Sequence, residues 1–206
     1  MLLMEATAPV ALVLLDEDRL VEQLTFVALF GAGLIAALMA WLHRRGFQWW
    51  VRWVYVLLAL ACLVVAMEEV SWGQRRLGIE TPISLRRFNR QGEITLHNIG
   101  SLQGHSEWMR LCAGIGGLLA LGARRIPALQ SFAAPPVLKP WFVIITGHAA
   151  IDVFDDIIPI TPRFTFIMQQ TSEMLELLIG LAAFLYVSLN AQSAAAFQKY
   201  FRRARE

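Results

Sequence analysis

Long apolar stretches constrain the fold of this chain more than any other feature of its sequence. Roughly twenty apolar residues are needed to cross the hydrocarbon core of a bilayer as an α-helix. Five stretches qualify or nearly qualify, at about residues 21 to 42, 51 to 69, 107 to 123, 139 to 158 and 165 to 189. The third is short, and acidic residues interrupt the fourth. We therefore expect an all-α bundle of about five transmembrane helices that forms a single membrane domain over residues 1 to 206.

The composition of the chain supports a polytopic membrane protein. Hydrophobic residues make up 57% of the 206 positions and charged residues only 17%. A soluble domain carries about 25% charged residues, so this chain is too apolar for that class. The net charge of +2 is small, and the basic residues lie in short loops beside the apolar stretches. We expect the lipid bilayer and other membrane subunits as partners, and no nucleic acid.

The distribution of basic residues predicts the orientation of the spans. Lysine and arginine cluster at residues 43–52, 124–139 and 199–205, and the positive-inside rule makes that side cytoplasmic. The acidic run at residues 16–18 then lies opposite, which places the N-terminus outside and the C-terminus in the cytoplasm. The segment 72–105 also carries arginines and mildly opposes the rule. We expect it to form an external helical or re-entrant cap.

The densest polar stretch of the chain carries a recognisable pattern. It runs from Glu68 to Arg75 as E-E-V-S-W-G-Q-R, followed by N-R-Q-G-E at residues 89–93 and L-H-N at residues 96–98. This resembles the signature of an uncharacterised family of small bacterial inner-membrane proteins, E-E-[IV]-S-W-G-Q-R, then N-x-Q-x-E, then L-H-N. The resemblance covers about 30 residues. It implies a location in the bacterial inner (plasma) membrane, and no activity comes with it.

Most ionisable residues outside the basic loops gather at one end of the predicted spans. A carboxylate at membrane depth costs a few kcal/mol or more, and several of them in different spans indicate a functional site by default. The residues concerned are Glu68, Glu69, His97, His105, His148, Asp152, Asp155, Asp156, Glu173 and Glu176.

Two pairs on the last two spans have the spacing of neighbours on one helix face. His148 and Asp152 are four residues apart, and Glu173 and Glu176 are three apart. The short turn from Pro159 to Pro162 between the two spans favours their lying side by side. An imidazole and a carboxylate at this spacing can hold one divalent ion, or the carboxylate can orient the tautomer of the histidine.

These pairs lead to a prediction of convergence with the second span. We expect Glu69, His148, Asp152 and Glu173 to lie within direct or one-water reach of each other. The candidate metal ligands are His97, His148, Asp152 and Glu173, with zinc or manganese as the metal. The candidate catalytic residues are Glu69, Asp152 and Glu173.

A structural interpretation competes with the metal site. Arg75 and Arg76 follow Glu68 and Glu69 by six to eight residues, and they neutralise one of these acids if the chain turns back after the span. Glu93 offsets part of the positive charge of the same segment. Glu68, Arg75, Arg76 and Glu93 are therefore candidates for structural ion pairs that attach the cap to the helix ends.

Three classes of function follow from these alternatives. The first is a metal-dependent hydrolase or transferase that acts on a lipid or envelope substrate near the periplasmic face, where a bound ion activates water and a carboxylate moves the proton. The second is a structural or accessory membrane subunit whose acids pair with the arginine-rich cap. The third is a proton- or cation-coupled carrier that uses the same acids as a relay. The sequence leaves open whether the chain is an enzyme.

Small residues recur at helical spacing in the first and third spans. Such residues allow helices in lipid to approach closely, and we expect them to pack within one bundle. They form the pairs Gly33 and Ala37, Ala113 and Gly117, and Gly116 and Ala120.

Overall fold

The regular structure of the chain is helical throughout the part that the structure describes. The computed structural model describes residues 20–43, 49–74 and 106–203. It contains, in chain order, α1 (Leu20–Leu42), α2 (Trp49–Glu69), α3 (Ser106–Gly122), α4 (Lys139–Ile157) and α5 (Pro162–Arg203). The all-α prediction is confirmed for these residues. Most of the predicted cap lies outside them.

Four helical segments of the described ranges are long and apolar enough to cross a membrane. They are Leu20–Leu42, Trp49–Glu69, Pro136–Ile157 and Pro162–Ala194. The remaining helix, α3, has 17 residues and a length of about 26 Å at 1.5 Å per residue. This is less than the hydrocarbon thickness of about 30 Å. Four of the five predicted spans are thus supported by length and composition, and α3 is not among them.

Helix α5 is longer than the predicted span at residues 165–189. It has 42 residues, which corresponds to about 63 Å. Its start is fixed by Thr161, whose Oγ1 accepts a hydrogen bond of 3.2 Å from the N–H of Phe164, and by Pro162 at the first helical position. After Gly180 the helix contains neither glycine nor proline, so no residue interrupts it before Arg203.

The helices pack as two hairpins that α5 connects. Helix α1 packs against α2, and α3 against α4, while α5 packs against α1, α4 and, at fewer positions, α3. The buried residues between α1, α2 and α5 are mostly small, such as Ala32, Ala36, Ala59 and Ala182. Large apolar residues lie on the outer faces of the helices. This distribution is compatible with contact to lipid.

Close packing depends on three glycines. An added Cβ would lie 2.6 Å from Leu63 Cγ at Gly33, 2.5 Å from Thr146 Oγ1 at Gly114, and 2.1 Å from Phe142 Cδ1 at Gly117. The predicted packing roles of Gly33 and Gly117 are confirmed. Gly116 is different, because an added Cβ there meets nothing within 4 Å. The prediction was wrong for Gly116, which lies on the exposed face of α3.

The bundle has two distinct ends. The acidic end is formed by the starts of α1, α3 and α5 and by the ends of α2 and α4. The basic end contains the connection between α3 and α4, which consists of the short 3-10 helices Ala123–Arg125, Pro127–Phe132 and Pro136–Leu138. The Tyr55 hydroxyl donates to the carbonyl of Ser131 at 3.3 Å, and the Tyr186 hydroxyl donates to the carbonyl of Phe132. These bonds tie the connection to α2 and α5.

Candidate functional site

A buried arginine forms the centre of the acidic end. Arg110 lies one turn into α3, and its side chain is only 8% exposed. Its Nη2 donates to Asp152 Oδ2 of α4 at 2.7 Å, and its Nη1 donates to Glu176 Oε1 of α5 at 2.7 Å. Nη1 also donates to Ser106 Oγ at 3.0 Å. We call these four residues the Arg110 cluster. One guanidinium group therefore joins three helices.

The electrostatics of the Arg110 cluster are those of one cation shared by two anions. Hydrogen bonds between ionised partners are shorter and roughly twice as strong as neutral ones. The Asp152 side chain is 15% exposed and that of Glu176 is 33% exposed. Asp152 therefore depends on Arg110 for its solvation, whereas Glu176 retains partial access to the surroundings.

Arg110 was not among the residues predicted from the sequence. The arginines of the cap were the expected partners of the acids, although Arg110 is the one basic residue of the third apolar stretch. A charge inside a span normally has a partner on another helix. The same rule applies to cations as well as to acids, and it indicates that Arg110 pairs with an acid of a neighbouring helix.

Glu69 belongs to a second group of charges at the same end. It is half-buried at the last position of α2. It experiences repulsion from Glu176, Glu22, Glu173 and, on its own helix, Glu68. The structure thus brings the predicted residues Glu69 and Glu173 into electrostatic range of each other. Carboxylates from α1, α2 and α5 share this region with the Arg110 cluster.

His148 forms a hydrogen bond with Thr171, which was not among the predicted site residues. Its Nε2 lies 2.8 Å from Thr171 Oγ1 of α5. The Thr171 hydroxyl donates to the carbonyls of Ile167 at 3.0 Å or Met168 at 3.1 Å. The threonine oxygen accepts from the histidine in the tautomer that carries its proton on Nε2.

The other ring nitrogen of His148 takes no part in this hydrogen bond. His148 Nδ1 is buried and has no hydrogen-bond partner within the described part of the chain. The ring interacts electrostatically with Asp152 and Arg110, so it lies beside the Arg110 cluster. An unprotonated imidazole nitrogen can act as a metal ligand or a proton acceptor.

Asp155 has a structural environment instead of a catalytic one. It is only 3% exposed. Its Oδ1 accepts from the N–H of Ile160 at 2.9 Å, and its Oδ2 accepts from the Thr165 hydroxyl at 2.6 Å. Both oxygens hold the turn between α4 and α5, which fixes the angle between these helices.

The polar segment after α2 has an unusual backbone conformation. Ser71, Trp72 and Gly73 have positive φ angles of 47°, 54° and 77°, a conformation that is costly for residues other than glycine. The Trp72 indole N–H donates to Glu68 Oε1. The predicted partners Arg75 and Arg76, together with Glu93 and His97, lie outside the described residues.

The predicted metal site is incomplete within the described residues. No group of three or more His, Cys, Asp or Glu side chains in residues 20–43, 49–74 and 106–203 is arranged to hold one ion. Of the four predicted ligands, Asp152 is engaged by Arg110, Glu173 lies near Glu69, and His148 offers Nδ1. His97 lies outside these ranges.

Comparisons with protein-family models, curated proteins and solved structures give no match for this chain.

Proposed function

We propose that this chain is a structural or accessory subunit of a membrane assembly, in which the Arg110 cluster holds α3, α4 and α5 in one fixed arrangement. The proposal rests on one observation: a single buried guanidinium group binds carboxylates from two other helices at 2.7 Å. Its partners are lipid and other membrane subunits, and we expect no nucleic acid among them.

The pairing of the acids favours a structural role. Asp152 and Glu176 bind Arg110, and both oxygens of Asp155 are engaged by the α4–α5 turn. A catalytic acid or base needs an accessible oxygen and freedom to exchange a proton. Breaking a buried ion pair is costly, so the bonds to Arg110 oppose such a role for Asp152.

We infer that α3 is a fifth membrane span, because it packs along α4. Near the start of α3, Arg110 binds Asp152, and further along, Gly117 contacts Phe142. Helix α3 therefore covers most of the depth that α4 covers. A short span is tolerated when the bilayer thins locally or when polar groups at the helix ends reach the interface.

The orientation in this proposal follows the basic end of the bundle. Arg124, Arg125 and Lys139 lie there, and the positive-inside rule places them in the cytoplasm. The N-terminus and the segment 72–105 are then external, and the C-terminus is cytoplasmic. The resemblance of the segment 68–98 to a family of bacterial inner-membrane proteins supports the inner membrane as its location.

A metal-dependent membrane enzyme is the second candidate, because the ring of His148 interacts with Asp152 and its buried Nδ1 has no hydrogen-bond partner within the described part of the chain. A zinc or manganese site would need further ligands, with His97 and Glu173 as the candidates. The chemistry would be hydrolysis or transfer on a lipid or envelope substrate at the acidic end. A bound ion would supply activated water.

A proton- or cation-coupled carrier receives no support from the described core. The buried residues between the two ends of α1, α2 and α5 are apolar, including Ala36, Ala59, Cys62 and Ala182. A relay would require polar groups through this region.

Elemental analysis combined with thermal unfolding separates the first two candidates. The wild type and His148→Ala are purified in mild detergent without chelator. A structural subunit should contain no stoichiometric zinc or manganese, and His148→Ala should lower Tm no more than an ordinary core substitution. Stoichiometric metal in the wild type that disappears in His148→Ala, with the fold retained, would overturn the structural proposal in favour of the enzyme.

A further inference from the structure

The connection between α4 and α5 exposes large apolar side chains where a loop in water would carry polar ones. Six of them surround the turn and are between 48% and 63% exposed: Phe154, Ile157, Ile158, Ile160, Phe166 and Ile167. We call residues 154–167 the α4–α5 tip. The turn contains the common turn residues Asp155, Asp156, Pro159 and Pro162. The apolar side chains around it nevertheless form an exposed patch, and a patch of this kind marks an interaction surface.

The backbone of the α4–α5 tip is largely satisfied from within. The N–H groups of Ile158 and Thr165 donate to the carbonyls of Phe154 and Thr161 at 2.8 and 3.0 Å. The N–H of Ile160 donates to Asp155 Oδ1. Pro159 and Pro162 have no N–H to satisfy. Internal pairing of this kind is required where water is scarce, because an unpaired backbone group in lipid costs several kcal/mol.

Asp155 supplies acceptors for polar groups of the turn from within the protein. Its carboxylate is buried and accepts from one backbone N–H and one hydroxyl of the turn. The apolar side chains are left free to face outward. They continue the outer surface of α4, where Ile144 and Ile151 are also about half exposed. The tip is thus continuous with the face of a helix that can cross a membrane.

A cation at the tip has the position expected for contact with a phosphate group. Arg163 is exposed in the first turn of α5. Arginine near the end of a span extends its charge to the headgroup level while its stem stays in apolar surroundings. Apolar side chains below and a guanidinium at the boundary match a phospholipid.

We propose that the α4–α5 tip is immersed in the interfacial region of the leaflet at the acidic end, with acyl chains against Ile158, Ile160 and Phe166 and a lipid phosphate against Arg163. This inference is independent of the proposed function, since it holds for a structural subunit and for an enzyme. In this arrangement the turn between α4 and α5 anchors both helices in lipid.

Spin labelling in lipid nanodiscs tests the proposal. Single cysteines at Ile158 and Ile160 are introduced into a background in which Cys62 and Cys112 are replaced by serine. The labelled protein is reconstituted in phosphatidylcholine and phosphatidylglycerol. Collision rates are measured with oxygen, which concentrates in lipid, and with a water-soluble nickel complex. Two positions keep the test informative if one variant fails to fold.

Two controls calibrate the measurement. Ile144→Cys, about half exposed on the outer face of α4, reports a position facing lipid, and Gln130→Cys reports an exposed position in the α3–α4 connection. We expect labels at 158 and 160 to favour oxygen over the nickel complex by several-fold, as at 144, with the reverse preference at 130. Preference for the nickel complex at the tip would place it in water. Low collision rates with both reagents would show that protein covers it. Either result would overturn the proposal.

Discussion

Removing Arg110 is the most informative perturbation of the acidic end. Arg110→Ala leaves two carboxylates without their shared cation, and removing one partner of a buried pair costs about 3 to 5 kcal/mol. Asp152, at 15% exposure, should bear nearly the full penalty, whereas Glu176, at 33%, is relieved by its surroundings. We therefore expect the free energy of unfolding to fall by an amount in the lower half of that range, about 3 to 4 kcal/mol.

Neutralising either acid should lower the free energy of unfolding less than Arg110→Ala does, and the two acids should differ in their effect. Asp152→Asn removes one charge-assisted hydrogen bond but leaves Arg110 paired with Glu176, so we expect a loss of about 1.5 to 3 kcal/mol. Glu176→Gln should cost less than Asp152→Asn because Glu176 is more exposed. The triple variant Arg110→Met, Asp152→Asn, Glu176→Gln contains no buried charge at this point. It should be more stable than Arg110→Ala, because uncompensated burial is the main cost.

The measurement is equilibrium unfolding in detergent or bicelles, followed by tryptophan fluorescence. Arg125→Ala is the control, since Arg125 is an exposed arginine at the basic end of the bundle. If Arg110→Ala is no more destabilising than Arg125→Ala, or if the triple variant is less stable than Arg110→Ala, the account of the Arg110 cluster is wrong.

Three further predictions concern packing, the turn and topology. Gly114→Ala should destabilise the protein by about 1 to 3 kcal/mol, because its Cβ would lie 2.5 Å from Thr146 Oγ1, whereas Gly116→Ala should be neutral by the same unfolding assay. Asp155→Ala should lower Tm markedly and Asp155→Asn much less, because the amide keeps an acceptor for the turn; equal losses would contradict this role. A cysteine at Gln130 should react with an impermeant maleimide in inverted membrane vesicles and not in intact spheroplasts, and the opposite pattern would reverse the orientation.

The helices were predictable because their signals are local. Length and hydropathy located α1, α2, α3 and α4 to within a few residues, since a bilayer imposes a minimum apolar length. The C-terminal end of α5 was missed because hydropathy falls before the helix ends. The alanines near residue 194 favour a helix, and neither glycine nor proline interrupts it before Arg203.

The site was only partly predictable because its contacts join different helices. The i, i+4 spacing of His148 and Asp152 correctly predicted that both lie on the same face of α4. It did not predict that His148 forms a hydrogen bond with Thr171 or that Asp152 pairs with Arg110. Both partners lie on neighbouring helices. The rotation of each helix about its axis, which decides these pairs, depends on packing at residues such as Gly114 and Gly117.

Helix α5 is held at both ends of the bundle by different kinds of bond. Its Glu176 binds Arg110 at the acidic end, and its Tyr186 donates to the Phe132 carbonyl at the basic end. Ten residues separate these positions, about 15 Å along the helix, and the core between them is apolar. Sliding or rotating α5 would break the ion pair between Glu176 and Arg110 and the Tyr186 hydrogen bond together. A carrier would need such a motion in each cycle, whereas a subunit that presents a rigid surface to its partners needs both attachments intact, which is why the geometry favours the structural role.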